Sequence, residues 1–470
     1  MPDRKDHQED HTRAPRLSGL LPLAGSGAVL AALYVWLYHS GSTPPTVQDR
    51  VIAYPVIFAI YLFSVWWIWH LREQPGRRPR FAAVILASVA LHAIVLSGVA
   101  PKNPDLDRHL WEGRGLVAGH NPYAAAPEAP IYDDLRAQLE AEGDDLWSGY
   151  WLKHKQIRSV YGPVSTALWA VPHLLPIHRV CALRIIMTLC SLGTVALLVA
   201  LLTTLGHPRA LVIVYAWSPV CINGFADRGQ IDAAMVLLVV LAALLVARGR
   251  FAWAGIAMAA AVLTKLWPLL LALPMLRMGG RRFAAGFGLA VLAGVLPFAG
   301  AGPEALEGLG AFADRWHAND SVFTLVLMAA EALHVPQAAR VARSIVALLA
   351  VAYTVWRTWR LEPDDVGGLP GVLAGISAAV IILSPVTYPW YAAPMIAFLC
   401  FAPVAWMLAL SLAPMLWYLR FLKGDPGTVW AALARWGDKP PQLWRLPAYA
   451  VVYLMAAVRW VQRGGPRPSS

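Results

Sequence analysis

Apolar runs of about 20 residues recur along this 470-residue chain, and they constrain its fold more than anything else in it. A run of that length crosses a bilayer as a helix. The chain is therefore predicted to be an all-α, polytopic membrane protein. Composition agrees: 58% of residues are hydrophobic and 14% charged, against roughly 25% charged in soluble domains. The net charge of +11 does not point to nucleic acid, because the basic residues fall in short clusters between apolar runs, as membrane topogenesis requires. Cys181, Cys190, Cys221 and Cys400 lie in or beside apolar segments, with spacing that suits neither a disulfide framework nor a metal site.

The first run, Leu17–Tyr38, is too long and too poorly followed by small residues for a signal peptide, and is read as a retained span. Arg4, Lys5, Arg13 and Arg16 precede it and Arg72, Arg77, Arg78 and Arg80 follow the second run, Val51–Leu71. The positive-inside rule then puts the tail 1–16 in the cytoplasm and the segment after the third run, Phe81–Ala100, on the outer face. Residues 101–179 form an outer loop whose one apolar stretch, Val164–Ile177, is short and proline-broken and is read as interfacial. Asp133–Glu142 reads as a short charged helix. Crossings resume at Val180–Leu205, Ala210–Asn223, Gln230–Ala247 and Phe251–Met275. Lys265 and Pro268 interrupt the last, which suggests two half-helices in a hairpin returning to the basic cluster Arg277–Arg282. Phe283–Ala299 leads out to a second outer loop, 300–320. Ala339–Trp359, Leu369–Ser384, Trp390–Pro403, Val404–Leu422 and Leu443–Val461 complete a total of 12–14 crossings, depending on the hairpin and on Val322–Leu333. The tail 463–470 is placed in the cytoplasm, and no fixed-period repeat or separate soluble domain is visible, so residues 1–470 read as one membrane domain.

The polar run Pro104-Asp-Leu-Asp-Arg-His-Leu-Trp-Glu-Gly-Arg114, closed by Gly119-His-Asn-Pro-Tyr123, opens the first outer loop. It resembles the signature of the GT-C class of polyprenyl-phosphate-sugar-dependent glycosyltransferases, in particular the bacterial mannosyltransferase-like branch called glycosyltransferase family 87. In that branch an aspartate stands three residues before an Arg-aromatic-Leu-Trp-acid-Gly-Arg run. Asp105 is then the matching carboxylate, Asp107 an additional one, and His109 replaces the usual tyrosine. Four further elements match in order. They are His154 with Tyr161-Gly-Pro163, Thr264-Lys-Leu-Trp-Pro268, Arg315-Trp-His-Ala-Asn319 and Ser384-Pro-Val-Thr-Tyr-Pro-Trp-Tyr391. Where relatives carry Gly-His-x-Asp, this chain has Gly229-Gln-Ile-Asp232, which keeps the aspartate and loses the imidazole.

The resemblance implies a GT-C fold and transfer of a hexose, by analogy mannose, from a polyprenyl monophosphate to a lipid or glycan acceptor, with inversion, on the periplasmic side of the inner membrane. Such a reaction needs a base, positive charge for the departing phosphate and a surface for the sugar. Asp105 is the expected base; Asp107 would hold the acceptor or a divalent ion, and the simpler role of both is to solvate a loop or cap a helix starting near Arg108. Arg108, Arg114 and Lys265 are the candidate phosphate ligands. A lysine inside an apolar run implies a functional partner, whereas the two arginines would equally suit salt bridges to Glu112 or Asp107. Trp111, Asn121, Tyr123, His154, Tyr161, Arg228, Asp232, Trp316, Asn319, Tyr388 and Trp390 are the candidate sugar or acceptor contacts. Asp232 would serve as well as a helix cap, His154 as a solvated loop histidine, Trp111 and Tyr123 as loop anchors, and the aromatic residues as an interfacial belt.

No Gly-x-x-x-x-Gly-Lys-Ser element appears, in keeping with a lipid rather than a nucleotide donor. No cofactor is required by this chemistry, and a divalent cation is compatible with it. The expected partners are the donor, the acceptor and membrane lipids. The alternative functions are a transporter or flippase of lipid-linked sugars, or an oligosaccharide polymerase or ligase. A transporter would place polar sites near the membrane midplane, often between internal repeats; here charge concentrates in one outer loop.

Overall fold

The computed structural model describes residues 19–41, 43–73, 77–100, 103–144, 146–147, 154–415 and 445–464. The tail 1–16, nearly all of 463–470, the far half of the Val404–Leu422 crossing and the start of Leu443–Val461 lie outside the described residues. The protein is 77% helical without strands among the described residues, and it is an all-α, multi-pass membrane protein.

Three long apolar helices come first: α1 (Leu21–His39), α2 (Val47–His70) and α3 (Arg77–Ser97). Thr46 starts α2 through a capping box with Asp49, in which each side chain takes up a backbone N–H that the first turn leaves without a partner. The segment after α3 then holds α4 (Pro104–Val117), α5 (Asp133–Ala141) and α6 (Pro163–Ala170). Asp105 therefore stands in a helix that begins at Pro104, not in a loop ahead of a helix starting near Arg108. The next helices are α7 (Arg179–Thr204), α8 (Asp232–Ala247), α9 (Phe251–Thr264) and α10 (Leu269–Val295). They are followed by α11 (Glu307–Arg315), α12 (Val322–Ala332), α13 (Ala338–Trp359), α14 (Leu369–Leu383), α15 (Ala405–Leu412) and α16 (Arg445–Gly464).

Between α7 and α8 the expected crossing Ala210–Asn223 is broken. Arg209–Ala216 and Pro219–Asp227 meet at 54°, and the second piece ends in a π-turn, Asn223–Asp227. Pro219 cannot donate a backbone hydrogen bond, so carbonyls before it need other donors. Tyr61 Oη donates to Val214 O at 2.7 Å and Ser88 Oγ to Ala216 O at 3.0 Å. Buried Arg184 spreads its guanidinium over Val95 O, Gly98 O and Ala226 O, tying the end of α3 to the π-turn.

The hairpin expected at Lys265 and Pro268 is present. Lys265 ends α9 in an extended conformation, and α10 starts after Pro268. Gly280, at φ 52° and ψ −138°, then interrupts the helical backbone of α10, a conformation open to glycine and strained for other residues. Beyond it Gly286 packs beside Ala252 and Gly294 beside Leu263, so the second half of α10 runs along α9 in the same direction. The chain has thus turned round at the basic cluster.

The apolar helices behind the expected 12–14 crossings divide by length. Among the described residues six helices are long and apolar enough to span, or seven if the bent pair counts as one. Six shorter apolar helices accompany them. Among the shorter ones, α8 and α9 have 16 and 14 residues, a rise of roughly 21–24 Å against a core of about 30 Å. Asp232, which opens α8, and Lys265, which ends α9, lie at the site described next.

Candidate active site

α4 is a well-specified helix. Asn103 caps it by accepting the Asp105 amide at 3.1 Å, Pro104 fixes the first helical position, and two aspartates occupy the first turn, where the helix dipole favours negative charge. Trp111 is fully buried against Tyr132 and Trp147. At Gly113 the backbone of α4 meets the Trp169 carbonyl of α6 so closely that a side-chain carbon would overlap it. A residue advances about 100° around a helix, which separates Asp105 from Asp107 by roughly 200°. Asp105, Arg108, His109 and Glu112 instead share one stripe at spacings of three, four and seven, and all four line a cleft of about 110 Å³.

Within the stripe, two groups are committed to holding the loop above. Arg108 donates to Glu112 at 2.8 Å, to His154 O at 2.9 Å and to Ile157 O at 2.6 Å. Glu112 also accepts from Ser159 Oγ at 2.6 Å, so both its oxygens are engaged. Asp105 is the exposed carboxylate of the cleft. His109 stacks on Trp169 at 4.1 Å and meets the Tyr161 ring edge-on. Burial, and then the charges of Lys265 and Arg108, push its imidazole down to about 3, so it is neutral at ordinary pH. Burial, Tyr391 and then Asp105 and Asp232 hold the Tyr161 phenol well above its usual range, leaving it a hydrogen-bond donor.

The opposite wall comes from distant sequence. The two segments expected as outer loops meet: Arg158 pairs with Glu304 at 2.6 Å and Glu307 at 3.3 Å, and Asn121 Nδ2 donates to Phe298 O at 3.1 Å. Ala318 N donates to Pro385 O at 2.9 Å and Thr387 N to Ala318 O at 2.8 Å, pinning the second loop to the segment after α14. This brings Phe312, Trp316, Tyr388, Trp390 and Tyr391 to the cleft beside His154 and Gln230. Trp316 lies 4.6 Å from the His154 ring, and Tyr388 stacks on Trp390 at 5.1 Å.

A second cavity opens behind the same wall. It is a predominantly apolar groove of about 420 Å³ between the start of α10, the first turns of α13 and the end of α14. Val160, Tyr161, Phe312 and Tyr391 line both cavities. Lys265 lies at the groove with its ammonium 3.8 Å from the centre of the Tyr391 ring. It is held by both oxygens of buried Asp232, and Asp105 acts on it electrostatically.

A polar cleft and an apolar groove thus share one wall. The sequence model of glycosyltransferase family 87 matches residues 160–385. The chain is a membrane glycosyltransferase, similar to that family across those residues. No curated protein matches it. The matched segment of this glycosyltransferase contains Tyr161, Gln230, Asp232, Lys265 and Phe312–Asn319; α4 with Asp105 and Asp107 precedes it, and Tyr388–Tyr391 follow.

Of the site residues expected from sequence, the structure brings Asp105, Arg108, His154, Tyr161, Trp316, Tyr388 and Trp390 to the cleft. Lys265 is at the groove, paired with Asp232. Asp107 and Arg114 line neither cavity. Trp111 is an anchor of α4; Asn121 bridges to Phe298 and accepts the Tyr123 amide, and Tyr123 Oη donates to Tyr161 O at 2.9 Å. Arg228 lies 4.0 Å from Asp227, away from both cavities. Asn319 is buried, donating to Thr387 O and Pro414 O. Among the described residues no group of three His, Cys, Asp or Glu side chains is arranged to hold a metal ion. The sequence reading did not assign roles to Arg343, Arg158, Phe312 or Gln230. Arg343 carried a legible signal, since it falls inside the apolar run Ala339–Trp359.

Proposed function

We propose that this glycosyltransferase moves a hexose, mannose by its family resemblance, from a polyprenyl monophosphate to a lipid or glycan acceptor at the outer face of the cell membrane. The observation that carries the reading is the wall shared by groove and cleft, formed by Val160, Tyr161, Phe312 and Tyr391. An apolar space suits an isoprenoid chain, and a cleft lined by aromatic rings and one exposed carboxylate suits a sugar and its acceptor.

In the proposed reaction the Asp105 carboxylate takes the proton of the acceptor hydroxyl. The acceptor oxygen attacks the anomeric carbon, the bond from that carbon to the phosphate oxygen breaks, and the electron pair leaves with the polyprenyl phosphate. One displacement by one base inverts the anomeric configuration. Tyr161 and the neutral His109 shape the cleft around the sugar without adding charge. A monophosphate leaving group concentrates less charge than a nucleoside diphosphate, and the proposal requires no cofactor.

Transfer from radiolabelled polyprenyl-phosphate-mannose in membranes, compared between wild type and Asp105→Asn at equal expression, tests the reading. Label reaching an acceptor in wild type alone supports it. Equal transfer in both removes Asp105 from the chemistry. Transfer seen only with glucose or arabinose donors corrects the sugar.

A further inference from the structure

The groove holds a second cation that the mechanism above does not use. Among the residues lining it, only Lys265 and Arg343 carry charge. Lys265 is balanced already, because Asp232 holds it through two oxygens. Arg343 stands in the second turn of α13, within a run apolar enough to span a bilayer. A guanidinium there is costly unless something answers its charge.

Its protein contacts do not. Nη1 donates to the backbone carbonyl of Trp316 at 2.9 Å, which satisfies a proton without neutralising the charge. Nε is buried and has no hydrogen-bond partner. The Phe323 ring lies 5.2 Å away. Asp314 and Asp320 act on Arg343 electrostatically, but among the described residues no carboxylate comes within 4.0 Å of it. The bond to Trp316 also fixes where the guanidinium lies, because Trp316 is a wall of the polar cleft. Arg343 therefore stands between the apolar groove and the place where the sugar would be.

A ligand suited to this position carries a compact anion on a long apolar tail. We infer that Arg343 binds the phosphate of the lipid donor, which makes it, rather than the Asp232-paired Lys265, the principal cation for the leaving group. The inference rests on the polyprenyl-phosphate reading of the site. A guanidinium presents parallel N–H donors that match two phosphate oxygens, and the buried Nε is one such donor in need of an acceptor. The charge on the phosphate grows as the glycosidic bond breaks, so the contact strengthens toward the transition state.

The test is binding of farnesyl phosphate and of farnesol to the purified full-length protein in nanodiscs, in wild type, Arg343→Gln and Arg343→Lys. Wild type is expected to prefer the phosphate. Arg343→Gln should cut that preference about tenfold or more, the loss expected for a hydrogen bond to a charged group, with farnesol binding unchanged. Arg343→Lys keeps charge but not the fork, and should fall between. An undiminished preference in Arg343→Gln overturns the assignment and returns the phosphate to Lys265. Should Arg343→Gln fail to fold, an undiminished preference in Arg343→Lys overturns it equally. Absence of any preference in wild type overturns the lipid-phosphate reading itself, and this inference with it.

Discussion

Lys265 Nζ lies 3.0 Å and 3.1 Å from the two carboxylate oxygens of Asp232, an ion pair joining residues 33 apart in sequence. The lysine closes α9 and the aspartate opens α8, so the pair fastens together two helix ends that are both broken short. Removing one partner leaves the other charge buried without compensation, at a cost of about 3–5 kcal/mol. Asp232→Asn should therefore lower thermal stability in detergent sharply. The double variant Asp232→Asn/Lys265→Met should melt closer to wild type than the Asp232→Asn single variant.

The two aspartates of α4 should separate cleanly in activity. Asp105 lines the cleft and Asp107 does not. With Asp105 as general base, Asp105→Asn should lose on the order of 10²–10⁴ in rate. Asp107→Asn should stay near wild type. Initial rates at matched protein levels decide it; equal losses in both would mean that α4 acts as a charged surface rather than through one carboxylate.

Gly113→Ala should damage stability and turnover together. The added methyl meets the Trp169 carbonyl, and forcing α4 away from α6 shifts the stripe that carries Asp105. Overpacking of this kind costs about 1–3 kcal/mol. Gly25→Ala in α1, where nothing lies within 4 Å, is the matched control and should change neither the melting temperature nor the rate.

His109 predicts a pH dependence of stability. Burial, followed by Lys265 and Arg108, lowers its imidazole from 6.5 to about 3. The unfolded chain takes up a proton as pH falls through 6.5, whereas the native protein does so only near 3. The native state is thus progressively disfavoured across that window on acidification. Melting temperatures measured between about pH 4.5 and 7.5 should fall toward acid in wild type, and fall less steeply in His109→Phe.

Much of the fold was legible because membrane helices are written in apolar length. The hairpin at Lys265 and Pro268 could be read from two residues that an uninterrupted span would not tolerate, and its return from the arginines at 277–282. The short lengths of α8 and α9 were less legible, because apolarity does not reveal that Asp232 at the start of one pairs with Lys265 at the end of the other. The site was partly legible. Pro104 after Asn103 is a helix start, and the spacing of Asp105, Arg108, His109 and Glu112 is that of one helical face; taken as a loop, the run gives no means of separating Asp105 from Asp107. Arg108 showed its charge but not its employment, since His154 O and Ile157 O are backbone groups about 50 positions away.

The pinning of the second loop, through Ala318, bears on how the protein is made. The cleft draws walls from α4, residues 154–161, Gln230, the end of α11 and residues 388–391. Asn319, in the second loop, is gripped from later still: it donates to Pro414 O, and its own carbonyl accepts from Tyr449 Oη on α16. A ribosome-bound chain that has already released α4 consequently holds Asp105 beside an unfinished wall. During synthesis the walls of the cleft are thus complete only once α16 has emerged and packed against Asn319, so the order of the chain sets the order in which the walls arrive.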